Sequence, residues 1–146
     1  MTSWRDGLGA TAQDDLDRLL DSALTIARGN LAQASEFDPF ALVVDDAGRL
    51  LATDWDTSAL GKHPDVEEVI AAAIVQLREI APSSRATAMV INTQLLQDKT
   101  DAVEVRLEHR DGAAVVVLLR YKRARFGPRV DYGELSAFVG TPEVWV

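Results

Sequence analysis

The chain of 146 residues contains no cysteine. That absence removes disulfides, thiolate nucleophiles, iron–sulfur clusters and thiolate zinc sites together. Histidine is almost as scarce. His63 and His109 are the only two, so a metal site built from three or more histidines is excluded. Nine glycines and five prolines leave no Gly/Ser linker, repeat or low-complexity tract that would mark a second domain. The longest apolar runs, residues 69–75 and 113–119, fall far short of the ~20 residues of a spanning helix. The opening Met1-Thr2-Ser3-Trp4-Arg5-Asp6 carries neither an apolar stretch nor a cleavage-site pattern. A soluble, cytoplasmic protein is expected, without membrane attachment.

Sequence signatures of chemistry are equally sparse. Gly7-Leu8-Gly9 lacks the third glycine, the preceding strand and the Lys-Ser/Thr pair of a phosphate cradle. No G-x-S-x-G elbow occurs. Nothing points to haem, flavin or nucleotide, and no cofactor is expected.

What is present is the composition of one folded domain, 47% hydrophobic and 26% charged. A chain of this length buries roughly 68–70% of its unfolded surface, enough for a self-sufficient core. The domain is expected to span residues 1–146, with 1–10 as a flexible tail. The net charge of −8 is uneven: residues 1–84 hold 6 bases and 15 acids, residues 85–146 hold 9 bases and 8 acids.

Hydrophobic spacing predicts a first helix from near Thr11. Thr11 and Asp14 are spaced as a capping box, and Asp14, Asp15 and Asp17 load the first turns with negative charge. Leu16, Leu19, Leu20, Ala23, Ala27, Leu31 and Ala34 make one apolar stripe, which Gly29-Asn30 either ends or weakens. Asp38-Pro39 stops the helix. Residues 40–44 and 49–53 flank the turn Asp45-Asp46-Ala47-Gly48 as a hairpin. A loop over 54–63 leads to a second helix with Pro64 as its first residue. Its stripe is Val66, Val69, Ile70, Ala73, Ile74, Leu77 and Ala81, and Pro82 closes it.

The remainder reads as β. Residues 85–95 form a strand and 97–101 a polar turn. Val103, Val105 and Leu107 alternate with charged neighbours, and Asp111-Gly112 signals a hairpin. Residues 113–121 are apolar on both faces and are expected to be central in the sheet or covered on each side. Residues 130–132 make a further short strand, and Glu143-Val144-Trp145-Val146 stays apolar enough to pack. The expected fold class is α+β, a single antiparallel sheet with two main helices in the order α-β-β-α-β-β-β(-β).

That order is similar to the profilin-like architecture of roadblock, PAS and GAF-type domains, a likeness of topology alone. At sequence level, several segments resemble a family of small uncharacterised bacterial proteins. They are Glu36-Phe37-Asp38-Pro39-Phe40-Ala41, Asp46-Ala47-Gly48, Thr100-Asp101-Ala102-Val103, Glu108-His109-Arg110-Asp111-Gly112 and Tyr132-Gly133-Glu134. The resemblance covers roughly residues 12–146 and implies one compact domain without a mechanism. Arg120 stands where that family has a proline before Tyr121.

Four groups of residues are the candidates for function. His109 with Glu108 and Asp111 is the most enzyme-like, but adjacent strand residues point to opposite faces, which separates His109 from Glu108. A rim histidine bonded near a turn is the plainer reading. Asp54, Asp56 and His63 could supply oxygen and nitrogen ligands to a hard cation, yet the glycine of a calcium loop is missing and the same residues serve as caps. Asp14, Asp17 and Asp21 form an acidic helical stripe that reads as a solvated face. Arg120, Lys122, Arg123, Arg125 and Arg129, interleaved with Tyr121, Phe126 and Tyr132, form the one basic cluster. Net charge and the lack of an RNA-binding signature oppose nucleic acid as its partner.

With no catalytic set identified, the leading expectation is a non-enzymatic protein–protein interaction domain that self-associates, as a homodimer. Arg120, Lys122, Arg123, Arg125, Val144 and Trp145 are the candidate interaction residues, and the basic segment is expected to meet the acidic first helix within or between chains. Two alternatives remain open: an immunity-type partner that neutralises a basic target, and a small-ligand sensor or hydrolase using His109 or the 54–63 loop.

Overall fold

The long stripe that begins at Ala12 builds helix α1 (Ala10–Gln33), which runs unbroken through Gly29 and Asn30. A computed structural model describes residues 4–5, 7–96 and 99–146. Strands β1 (Phe40–Asp45) and β2 (Leu50–Thr53) follow, then helix α2 (Val66–Ile80), then β3 (Ser84–Leu95), β4 (Thr100–His109), β5 (Ala114–Arg123) and β6 (Val130–Val139). The fold is α+β: one open antiparallel sheet in the order β2-β1-β3-β4-β5-β6.

Alternation along the strands divides the core into two layers. Leu42, Val44, Ala88, Val90, Val103, Val105, Leu107, Val115, Val117 and Leu119 face α1, whose Leu16, Leu19, Leu20, Ala23, Leu24, Ala27 and Leu31 cover them. On the opposite face Ala41, Val43, Met89 and Ile91 meet Ile70, Ala73 and Leu77 of α2, together with Val144 from the closing segment. The two helices therefore lie on opposite faces. The α1 layer reaches across the sheet through β5, with Val130 and Tyr132 at the start of β6 packed against it, whereas the strand residues of the α2 layer come only from β1 and β3. Residues 113–121 are neither central nor covered on each side as expected: β5 is the strand next to the edge, buried on its α1 face and without a part in the α2 layer.

Several local expectations are corrected. Thr11 forms no capping box, because Gly9 occupies the N-cap without a side-chain bond and Gln13 Nε2 donates instead to the Leu8 carbonyl at 3.0 Å. The first turn of α1 carries no acid, since Asp14, Asp15 and Asp17 all lie beyond it. Helix α2 begins at Val66 with Asp65 at its N-cap, two residues after Pro64. Of the turn expected over 97–101, Gln97 and Asp98 lie outside the described residues, while Asp101 belongs to β4. The last strand reaches Val139 rather than ending at Tyr132. Its register slips between Leu119 and Tyr121: the partner of Leu119 is Leu135 and that of Tyr121 is Tyr132, so Gly133 and Glu134 both stand opposite Arg120 as a bulge.

Within the expected tail 1–10, residues 1–3 and 6 lie outside the described set; Trp4 and Leu8 pack against the α1 layer, and Arg5 lies 2.6 Å from Asp17. Gly48 closes the β1–β2 turn at φ +82, a conformation that favours glycine, and a Cβ there would meet the Arg85 guanidinium at 3.4 Å. No helix among the described residues is long and apolar enough to cross a membrane.

Candidate functional site

The enzyme-like cluster at His109 keeps Asp111, whose Oδ1 lies 3.2 Å from Nδ1, loses Glu108, and gains a second aspartate from another element. Leu107 and His109 share the face that α1 covers, whereas Glu108 points to the other side. Above His109 the α1 stripe brings down Asp15, whose side chain is 0% exposed. Arg85 of β3 binds that carboxylate side-on, with Nη2 at 2.6 Å from Oδ1 and Nε at 3.1 Å from Oδ2. His109 Nε2 lies 3.1 Å from the same Oδ2. The backbone N of Asp111 also lies 3.3 Å from Nδ1, so each ring nitrogen has an aspartate beside it. Facing Asp15 raises the Arg85 guanidinium above its ordinary value, mainly through the hydrogen bond and against some desolvation.

A general base needs a substrate within reach. Here the imidazole is enclosed by α1 and its own hairpin, and the four clefts described for the molecule are lined by other residues. The cluster is a clamp fastening α1 to β3 and β4. Asp15 was legible in one respect: it falls between Ala12 and Leu19 at helical spacing, on the buried stripe rather than beside Asp14.

Glu108 does separate work on the other face. Its buried carboxylate accepts the backbone N–H groups of Glu143 at 3.0 Å, Val144 at 3.1 Å and Trp145 at 3.4 Å. Arg106 adds Nη1 to the Glu143 carboxylate at 3.2 Å and Nε to Glu104 at 2.7 Å, and Arg78 of α2 donates to the Glu143 carbonyl at 2.7 Å. Val144 and Trp145, expected at an interface, are engaged within the chain: Val144 is buried in the α2 layer and Trp145 packs against it.

The basic segment meets α1, though not at its acids. Arg123 Nη2 donates to the carbonyls of Leu31 and Ala34, where cations complement the negative end of the helix. Arg28 lies over the Tyr132 ring at 5.1 Å. Arg120 Nη1 donates to Ser136 Oγ at 3.0 Å, while Lys122 and Arg125 are exposed and Phe126 tips the β5–β6 hairpin with its ring in solvent.

Beneath this segment the Tyr121 hydroxyl donates to Asn92 Oδ1 at 2.6 Å. Burial pushes its phenol up, assisted by the charge of Asp101. A raised phenol favours the neutral form, so its contribution to stability is complete below the ordinary value of about 10 and is lost as pH rises through the elevated one. Tyr121→Phe is expected to flatten the alkaline limb of the unfolding curve; an unchanged limb would contradict the assignment.

Asp54 and His63 are brought together at a cleft of about 810 Å³, but Asp56 is not. The Asp56 carboxylate accepts the Ser58 N–H at 2.8 Å, as a turn residue does, and hydrogen bonds from Ser58 hold its pKa low. Among the described residues no three His, Asp or Glu side chains are grouped to hold a metal ion. The cleft is walled by the α1–β1 connection, the β2–α2 loop and the start of α2, with Asn92 at the sheet end. Its residues outside the expected loop, Glu36, Phe37, Asp38 and Phe40, carried no local signal of a site because they come from a different connection.

No protein-family model, curated protein or solved structure matches the chain.

Proposed function

We propose that this is a non-enzymatic, cytoplasmic interaction domain that forms a homodimer by pairing β6 with β6 of a second copy. One observation carries the reading. β6 is a ten-residue edge strand on which Leu135, Phe138 and Val139 are 53%, 50% and 87% exposed. Edge strands are ordinarily protected by charge, proline or shortness. The opposite edge follows that rule, since β2 has only four residues. In β6, the run Leu135-Ser136-Ala137-Phe138-Val139 has neither charge nor proline.

The pattern suits a two-fold axis. Leu135, Ala137 and Val139 share the α1 face, and Ser136 and Phe138 share the other. An antiparallel pairing centred on Ala137 sets Leu135 against the partner's Val139 on one face and Ser136 against the partner's Phe138 on the other. No like charges oppose one another in that register, and the contact is self-complementary as a two-fold interface must be. The Gly133-Glu134 bulge ends the pairing on one side. The α1 layer takes in only Val130 and Tyr132 at the start of β6, so pairing beyond the bulge would cover apolar surface that each monomer leaves wet.

Sedimentation velocity at micromolar concentration tests this. The wild-type chain is expected to be dimeric, with little dependence on salt because the contact is apolar and hydrogen-bonded. Leu135→Lys with Val139→Lys should weaken the dimer about a hundredfold while leaving monomer stability nearly unchanged, since both positions are solvent-facing in one copy. A wild-type monomer throughout, or a doubly substituted chain that dimerises as well as the parent, would overturn the proposal.

A further inference from the structure

We infer that the cleft between the α1–β1 connection and the β2–α2 loop binds an organic cation, an ammonium or guanidinium group carried on an alkyl stem. Its volume of about 810 Å³ lies within the range of small-molecule sites. Three carboxylates line it, Glu36, Asp38 and Asp54, against one lysine, Lys62, and His63. None of the three carboxylates has an ion pair or hydrogen bond among the described residues, in contrast to Asp15, Asp45, Asp46 and Glu108. Their charge is therefore available to whatever enters.

Three aromatic side chains line the same cleft. Phe37 and Phe40 stand with ring centroids 5.7 Å apart at 52°, and Trp55 lines the same cleft from the β2–α2 loop. Aromatic faces attract cations, and apolar rings beside carboxylates also receive an alkyl stem. An anion would face three carboxylates against one lysine, and a neutral apolar ligand would draw nothing from their charge. The combination selects a cation with a greasy carrier. Two sources share that chemistry: a free polyamine, or a lysine or arginine side chain displayed by a basic protein segment.

The Trp55 indole supplies the readout. Its Nε1 is enclosed and has no hydrogen-bond partner in the structure, so its amide-region resonance should respond to any repacking of the ring. The ¹⁵N-labelled full chain is titrated separately with spermidine, with the blocked peptide acetyl-Gly-Arg-Gly-amide, and with glutarate as an anionic control. Saturable displacement of the Trp55 indole signal by either cation, with a dissociation constant below about 1 mM, is the expected result, and the tighter of the two identifies the source. Asp38→Asn with Asp54→Asn should weaken binding about tenfold, and Trp55→Leu about fivefold. Asp38 and Asp54 are solvent-exposed, so their replacement should leave the thermal midpoint unchanged. No saturation by either cation, an equal response to glutarate, or undiminished binding by the Asp38→Asn/Asp54→Asn chain overturns the assignment. The Leu135→Lys/Val139→Lys chain should bind the cation as the parent does, which separates this test from that of the dimer.

Discussion

Replacing Asp15 with asparagine should destabilise the domain by about 3 kcal/mol, a fall of about 10 °C in the midpoint of a domain this size. The side chain has no exposed surface, and its two oxygens receive Arg85 Nε, Arg85 Nη2 and His109 Nε2. Asparagine keeps the shape but removes the charge, and even with its oxygen at the Oδ2 position its NH2 is set against the Arg85 Nη2 donor. Arg85 is then left beside an uncompensated site at the α1–sheet junction. Because its side chain retains 21% exposure, water can reach it, which sets the cost at the lower end of the range for a broken buried pair. Asp14→Asn, one residue away and exposed, should shift stability by no more than about 0.5 kcal/mol. Urea unfolding of both variants measures the contrast; equal stability of the two would remove the clamp from the account. Asp15→Leu combined with Arg85→Met should cost less than the two changes summed, as coupled residues do.

The same aspartate shows where reading the chain succeeded and where it failed. Regular periodicity was legible: the α2 stripe at Ile70, Ala73 and Leu77 is the buried face observed, and Val103, Val105 and Leu107 face the core as their alternation requires. Charge disguised Asp15. In a run of aspartates its residue type argued for solvent, and only its phase with Ala12, Leu16 and Leu19 argued for burial. Its partners Arg85 and His109 are 70 and 94 residues away, a separation no local pattern bridges. β6 was foreshortened for a different reason: the bulge at Gly133-Glu134 interrupts alternation, so the strand beyond it does not look like a continuation of Val130 and Tyr132. At the cleft, Asp54 and His63 could be singled out because they share one loop, whereas the aromatic wall of Phe37 and Phe40 required the sheet to bring two connections to one end. The basic segment was anticipated to meet α1, and it does through Arg123, but the attraction is to helix-end carbonyls rather than to carboxylates. Backbone dipoles are invisible in a count of charges.

Replacing Glu108 with alanine should cost about 2–4 kcal/mol and release the closing segment while the sheet persists. One buried carboxylate accepts the backbone N–H groups of Glu143, Val144 and Trp145, so a single substitution orphans three donors at once. Two further contacts, Arg78 to the Glu143 carbonyl and Arg106 to its side chain, are too exposed to hold the segment in place alone. With the segment loosened, Val144 leaves the α2 layer and uncovers part of its apolar surface. Hydrogen exchange should therefore quicken at residues 143–145 well before it changes in β3 or β4, and far-UV circular dichroism should stay close to the parent's. Glu108→Gln retains one acceptor oxygen and should lose about half as much stability, since the bonds it keeps are no longer charge-assisted. If Glu108→Ala left exchange at Val144 and Trp145 slow, the hydrophobic contact of Val144 rather than the carboxylate would be what fastens the segment. Val144→Ala would then show the larger effect, reversing the order expected from three donors converging on one buried charge.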